Sequence, residues 1–288
     1  MKISTSTYAM CNRLSQEEAI RAIAEAGFNA FDISLERLQK KDNTPYTMDY
    51  ARELRALADG LGIECNQAHA PFPSSVGDTQ KDAEIYKSII FAMEFAAALG
   101  AKIIVVHPKH HLCYAECADE LFEMNVEFYK SLIPYCKKFG IKVACENMWQ
   151  SNKKTGAVTD STCSRAWEFC KYLDAIDSEW IVGCLDIGHI SLVNADISDF
   201  IHKMGNKRLQ ALHVHDTDYV RDLHTLPFLG KIDFNAVVKA LAEIDYKGDL
   251  TFETTLYARS FPDELLADTF KMEYAVAKYL AEQVEKYR

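Results

Sequence analysis

The sequence predicts an α/β fold, a (β/α)8 barrel built as one domain from residues 1–288. Three observations predict it. Short β-type runs alternate with longer helical runs from end to end. Runs such as KIIVV at 102–106 are apolar on both faces, which suits a parallel strand covered on both sides. No glycine-rich phosphate loop follows the first strand, which argues against an open doubly wound sheet.

The first unit pairs a strand at 2–6 with a helix at 15–26, where Ser15 and Glu18 fit a capping box that satisfies free N–H groups. The next three units place strands at 30–34, 64–69 and 102–107, followed by helices at 46–61, 79–99 and 118–139. The fifth to seventh place strands at 142–146, 182–186 and 209–215, with helices at 161–173, 197–204 and 234–244. A strand at 249–253 and a long helix at 263–286 complete the pattern. Gly27, Gly62, Gly100 and Gly140 each end a helical run just before a strand, where glycine tolerates positive φ. Right-handed crossovers between eight such units close naturally into a barrel.

Apolar residues at 49% and charged residues at 26% are those of a soluble globular protein. A formal net charge of −10 disfavours a large nucleic-acid or anionic-membrane footprint. The start, MKISTSTYAM, does not read as a signal peptide, and no window approaches the roughly 18 apolar residues of a membrane span. Nine cysteines without a CxxC pair suggest reduced thiols and a cytoplasmic setting.

The chemistry falls at the strand ends. His69, His107, Glu146, Asp186, His213 and Glu253 each lie at or near the C-terminal end of a predicted strand, in six successive units. In a parallel barrel those ends share one face, so distant residues converge there. Mixed imidazole and carboxylate donors suit Mn, Zn, Fe, Co or Mg rather than a thiolate-selected metal. Glu146 and Glu253 end apolar runs, where an unpartnered carboxylate would be costly to bury. Asp186 and His189, three apart, allow Asp186 to bind metal while His189 faces a second metal or the substrate.

His213 and His215 are two apart and point to one side of a strand; His213, deeper in the run, is the favoured ligand. Asp222 and His224 form a D-x-H pair in a later loop, either functional or an ordinary surface pair. Lys109, His110 and His111 contact anionic substrate groups or face solvent, and Phe72 and Trp149 are pocket walls or ordinary packing. Cys145 and Cys184 read as small core residues.

The stretch LHVHDTDYVRDLHTLPFLGKIDF at 212–234 resembles the H-x-H-D…D-x-H…P-G-x-G-x-I-D signature of sugar phosphate isomerases and epimerases in the xylose isomerase-like barrel superfamily. H-A-P at His69, V-H-P at His107, E-N at Glu146, D-x-G-H at Asp186 and F-E at Glu253 extend the resemblance over the whole chain. One departure stands out: Phe228 occupies the place of the first glycine in P-G-x-G. In the epimerase branch the resemblance implies one Mn-like ion on Glu146, Asp186, His213 and Glu253, with Glu146 and Glu253 as acid and base through an enediolate and His189 on a substrate oxygen. In the more distant endonuclease IV branch it implies three zinc ions, adding His69, His107, His189, Asp222 and His224 as ligands.

The expected activity is therefore isomerisation or epimerisation of a sugar or sugar phosphate. The alternatives are a multi-zinc phosphodiester hydrolase, a lyase or dehydratase using the same chemistry, and a non-catalytic carbohydrate-binding barrel. Net acidity, and the lack of an Arg- and aromatic-rich loop that inserts into a duplex, weigh against nucleic acid. The long final helix suits assembly as a homodimer or homotetramer.

Overall fold

Strands and helices alternate through the computed structural model, which describes residues 1–10 and 13–288. The strands are β1 (Ile3–Ser6), β2 (Ala30–Ser34), β3 (Glu64–His69), β4 (Ile103–Val106), β5 (Lys142–Glu146), β6 (Trp149–Ser151), β7 (Val158–Asp160), β8 (Ile181–Asp186), β9 (Leu209–His213) and β10 (Leu250–Phe252). The helices are α1 (Gln16–Ala26), α2 (Met48–Leu61), α3 (Thr79–Leu99), α4 (Tyr114–Phe139), α5 (Ala166–Ile176), α6 (Ile187–Leu192), α7 (Ile197–Arg208), α8 (Phe234–Glu243) and α9 (Leu266–Tyr287).

Eight strands form one sheet in the order β10-β1-β2-β3-β4-β5-β8-β9, and each adjacent pair is parallel. The ring is nearly closed. Val214 bridges Phe252 in parallel, its N–H donating to the Thr251 carbonyl at 2.9 Å while Glu253 N–H donates to the Val214 carbonyl at 3.1 Å. The expected barrel is thus the observed one.

Local chemistry explains the helix ends. Ser15 caps α1 in a full capping box with Glu18, and Gly27, Gly62, Gly100 and Gly140 close their helices at φ of 106°, 72°, 116° and 69°. Side chains such as Phe31, Phe95, Phe169, Phe200 and Phe270 are fully buried in the main core. A smaller apolar cluster of Val105, Ala144, Val182, Cys184 and Ala211 gathers residues from β4, β5, β8 and β9. Elsewhere on the sheet Ser4 hydrogen-bonds Thr251 and Gln67 hydrogen-bonds Asp32, so these buried polar groups are partnered.

Several boundaries differ from expectation, and four of the differences bear on the site's surroundings. β9 ends at His213 rather than 215, leaving only the Val214 bridge beyond it. The fifth crossover carries an antiparallel hairpin, β6 with β7, and its helix starts at Ala166 because a turn closes from Ser164 N–H to the Ser161 carbonyl. The short α6 follows β8 directly, capped by the Asp186 carboxylate. α4 starts at Tyr114, with a non-helical break at Cys117 just before the expected start. Among the described residues no helix is long and apolar enough to cross a membrane, and the described cysteines are free.

Candidate metal centre

β5 ends in Glu146 and β8 in Asp186, while His213 closes β9 and Glu253 follows β10. Register sets Asp186 beside His213 and Glu146 beside Cys184, so the chain ends at one level on one face. Glu146, Asp186, His213 and Glu253 each offer a ligand atom, and these atoms lie within 4.8 Å of one another. His213 Nδ1 lies 3.2 Å from Glu146 Oε1 and 3.6 Å from Glu253 Oε2.

Two further groups flank this one. His69, His107 and Glu146 form the first, with His107 Nε2 3.0 Å from Glu146 Oε2 and 3.0 Å from His69 Nε2. His189, Asp222 and His224 form the second, with Asp222 3.5 Å from His189 Nε2 and 3.2 Å from His224 Nε2. All nine residues singled out from the sequence therefore gather on one face, and Asp222 and His224 stand beside His189 in the wall of the same cavity. Cys184 and His215 also lie within reach of ligand groups, although burial pushes the Cys184 thiol up to about 12.

The histidines are held in defined orientations. His69, His189 and His224 each direct Nδ1 at a backbone carbonyl, those of Ala70, Asn147 and Glu253, at 2.9, 2.8 and 3.0 Å. That arrangement commits the Nδ1 proton to the backbone and turns Nε2 toward the cluster, so that loss of any proton on Nε2 would leave the tautomer a metal ligand requires. His213 is turned the other way: its Nε2 lies 3.6 Å from Asp32 and its Nδ1 faces the two glutamates. His215 Nε2 lies 3.0 Å from both Asp186 oxygens, which makes it a hydrogen-bond partner of that carboxylate. Buried carboxylates and inward imidazole nitrogens without enough protein partners form a donor set that fits a divalent cation. Glu146 Oε2 is buried with only the His107 imidazole close beside it, in keeping with that reading.

The charges are strongly biased. Burial opposes ionisation of Glu146, but His213 and His107 outweigh it and hold the carboxyl well below its ordinary range. Burial raises the Glu253 carboxyl, with Glu146 and Asp186 adding to it against His213 and His224. Burial, reinforced by His107, drops His69 to about 3, so it is a neutral imidazole. His224 is opposed by burial yet raised to about 9 by Asp222 and Glu253.

A cavity of about 530 Å³ opens above the cluster, with Glu146, His69, His107, His189, Asp222 and Glu253 in its lining. Asp186 and His213 are fully buried and do not line it. Phe72 and Trp149 are cavity walls, and Trp149 Nε1 donates to Asp222. Of the basic run after His107, His110 lines the cavity, whereas His111 bonds Ser75 and Lys109 lies over Phe128.

Three positioning residues escaped the sequence reading. Asp32 on β2 is buried beneath His213, where a carboxylate steadies the imidazole. Asn147 exchanges two bonds with the Asp186 backbone and so locks β5 to β8. Asp216 accepts from the backbone N–H groups of Phe228, Gly230 and Ile232, folding the loop that carries Asp222 and His224. Phe228 keeps a glycine-like φ of 78°, so the turn survives the loss of its first glycine.

Residues 20–272 match the xylose isomerase-like TIM barrel family. The chain belongs to that family. An uncharacterized protein, y4fM, of Sinorhizobium fredii is 26% identical over 212 residues, 73% of this chain and 63% of that protein. An inosose dehydratase of Clostridium perfringens is 23% identical over 93% of this chain and 89% of its own. A probable endonuclease 4 of Bacillus licheniformis is 26% identical over 64% of this chain and 63% of its own. Among solved structures, a D-tagatose 3-epimerase-like protein superposes with a TM-score of 0.79 at 23% identity, covering 99% of both chains. A D-psicose 3-epimerase with D-fructose gives 0.76 at 15% over 97% of this chain and 99% of its own. The IOLI protein with a bound zinc atom gives 0.74 at 17% over 100% and 99%. At such identities these structures establish the fold alone, one that proteins described as sugar epimerases share.

Proposed function

We propose that this family member is a metal-dependent sugar isomerase or epimerase. The observation that carries the reading is that Glu146 and Glu253 both approach His213 Nδ1, at 3.2 and 3.6 Å, and both line a cavity of about 530 Å³. Glu146, Asp186, His213 and Glu253 would hold the ion, Mn²⁺ being the first choice and Zn²⁺, Co²⁺, Fe²⁺ or Mg²⁺ the others. A divalent cation there supplies Lewis acidity that polarises a ketose carbonyl and acidifies the neighbouring C–H.

The chain's own groups do the rest. One of Glu146 and Glu253 removes the proton beside the carbonyl, and the other returns a proton to the opposite face or the adjacent carbon. His189, at the cavity wall, holds a substrate oxygen through its inward Nε2. Phe72 and Trp149 cover apolar faces of the sugar and limit water. The test is incubation of metal-loaded protein with a ketose panel in deuterated water. Deuterium entering a sugar carbon, lost in Glu146→Gln, is the expected result; no uptake with any ketose overturns the proposal.

A second reading has a specific observation behind it. The two flanking groups, with their Nε2 atoms turned inward, complete the residue set of a three-zinc phosphodiester hydrolase. Elemental analysis separates the two readings. About one metal per chain is the epimerase outcome, whereas about three zinc with cleavage of abasic DNA is the hydrolase outcome. Loss of water from an inosose-like ketone would place the chain with its dehydratase relative instead.

A further inference from the structure

A second cavity, of about 610 Å³, adjoins the first, and Tyr8 and Glu36 belong to the walls of both. It lies between the start of α1 and the loop that leads from β2 to α2. Each cavity alone falls in the range of about 300–1,000 Å³ that suits a small organic ligand. A monosaccharide held over the ligand cluster leaves the outer cavity vacant.

The outer lining shows what kind of group fits. Gln39 donates to Asn43 Oδ1 at 3.1 Å, which leaves the Gln39 side-chain carbonyl and the Asn43 side-chain N–H groups for a ligand's hydroxyls. Tyr8, over one-third exposed, adds an aromatic face at the join. The basic residues are already engaged: Lys40 Nζ sits 3.9 Å from the centroid of the Tyr50 ring, and Lys41 Nζ donates to the Arg13 carbonyl. Glu17, Glu36 and Asp42 line the same cavity and offset Arg37, Lys40 and Lys41. Nothing in this balance favours a phosphate, which calls for concentrated cationic donors. Amide and hydroxyl groups beside an aromatic ring favour an uncharged polyhydroxylated ring.

We propose that the substrate is a glycoside or disaccharide: its reacting ring lies over the Glu146–Glu253 cluster, and its second ring passes Tyr8 and Glu36 into the outer cavity. This rests on the sugar isomerase or epimerase reading above. The test is calorimetric titration of metal-loaded protein with D-fructose and with lactulose, isomaltulose and turanose, disaccharides that carry the same ketose end through different linkages. Gln39→Trp, which adds bulk at a residue that lines the outer cavity and not the inner one, is titrated alongside.

At least one disaccharide is expected to bind about tenfold or more tightly than D-fructose, and Gln39→Trp is expected to erase that ratio. If D-fructose binds and exchanges deuterium but no disaccharide binds more tightly, the inference falls and the function stands. A Gln39→Trp protein that keeps the full ratio also overturns the inference. If no saccharide binds or exchanges, both fall together.

Discussion

Glu273 gives the most quantitative handle on this barrel. It projects from α9 and is 3% exposed, and its Oε1 accepts the hydroxyls of Thr5 at 2.5 Å and Thr254 at 2.6 Å. Burial raises its carboxyl from 4.5 to about 7, against the two hydroxyl donors. The folded state thus holds the proton more tightly than the unfolded chain. Its contribution to stability is fully present below about pH 4.5 and is lost as pH rises through 7. At about 1.36 kcal/mol per tenfold change in proton affinity, that loss amounts to about 3 kcal/mol.

Glu273→Gln removes the ionisation and keeps an oxygen for Thr5 and Thr254. At about pH 5 the variant should match wild type within about 1 kcal/mol. At about pH 8.5 it should be the more stable protein by about 3 kcal/mol. Urea denaturation across that range measures both curves, and other titrating groups are common to the two proteins and cancel. Parallel curves would refute the assignment of a raised, buried carboxyl at this position.

Three other predictions follow from single residues or from the cluster. Phe228 sits at a φ of 78° and the residue is 53% exposed, so Phe228→Gly should relieve about 1 kcal/mol of backbone strain, which offsets the lost ring contacts with Phe234 and Tyr279 and leaves Tm no lower than wild type. A Cβ on Gly188 would lie 2.0 Å from His215 Cε1, so Gly188→Ala should cost about 3 kcal/mol by thermal or urea denaturation and impair metal retention through Asp186. Adding Mn²⁺ or Zn²⁺ to chelator-treated protein at about 100 times its Kd should stabilise it by about 2.7 kcal/mol, and Asp186→Ala should shrink that Tm increment.

The barrel was legible because short strand-like runs, some of them apolar on both faces like IIVV, alternate with helices, and the first four helices end in glycine, signals that act within a few residues. Gly27, Gly62, Gly100 and Gly140 marked four boundaries that the structure reproduces. The gathering of the candidate residues was legible because a parallel barrel turns strand ends into neighbours. The hairpin was not, since WQS and VTD are three-residue polar strands without a readable alternation; the NKKTG run between them, with Gly156 at a φ of 72°, was the available signal. α6 hid behind Gly188, a weak helix former, although Asp186 three residues before His189 is a fair N-cap. Asp32 was missed because nothing local distinguishes a strand carboxylate that serves a histidine 181 residues away in sequence from one that faces solvent.

The join between β9 and β10 has one more consequence. A hoop gives way at its thinnest stave, and here a single bridge at Val214 and Phe252 completes the ring. His213 precedes one side of that bridge and Glu253 follows the other. An ion gripped by both would work as a clasp, raising the free energy of local opening at the place where the hoop is slimmest. Slowed amide exchange at Val214 and Glu253 would then report occupancy of the centre before any sugar is present.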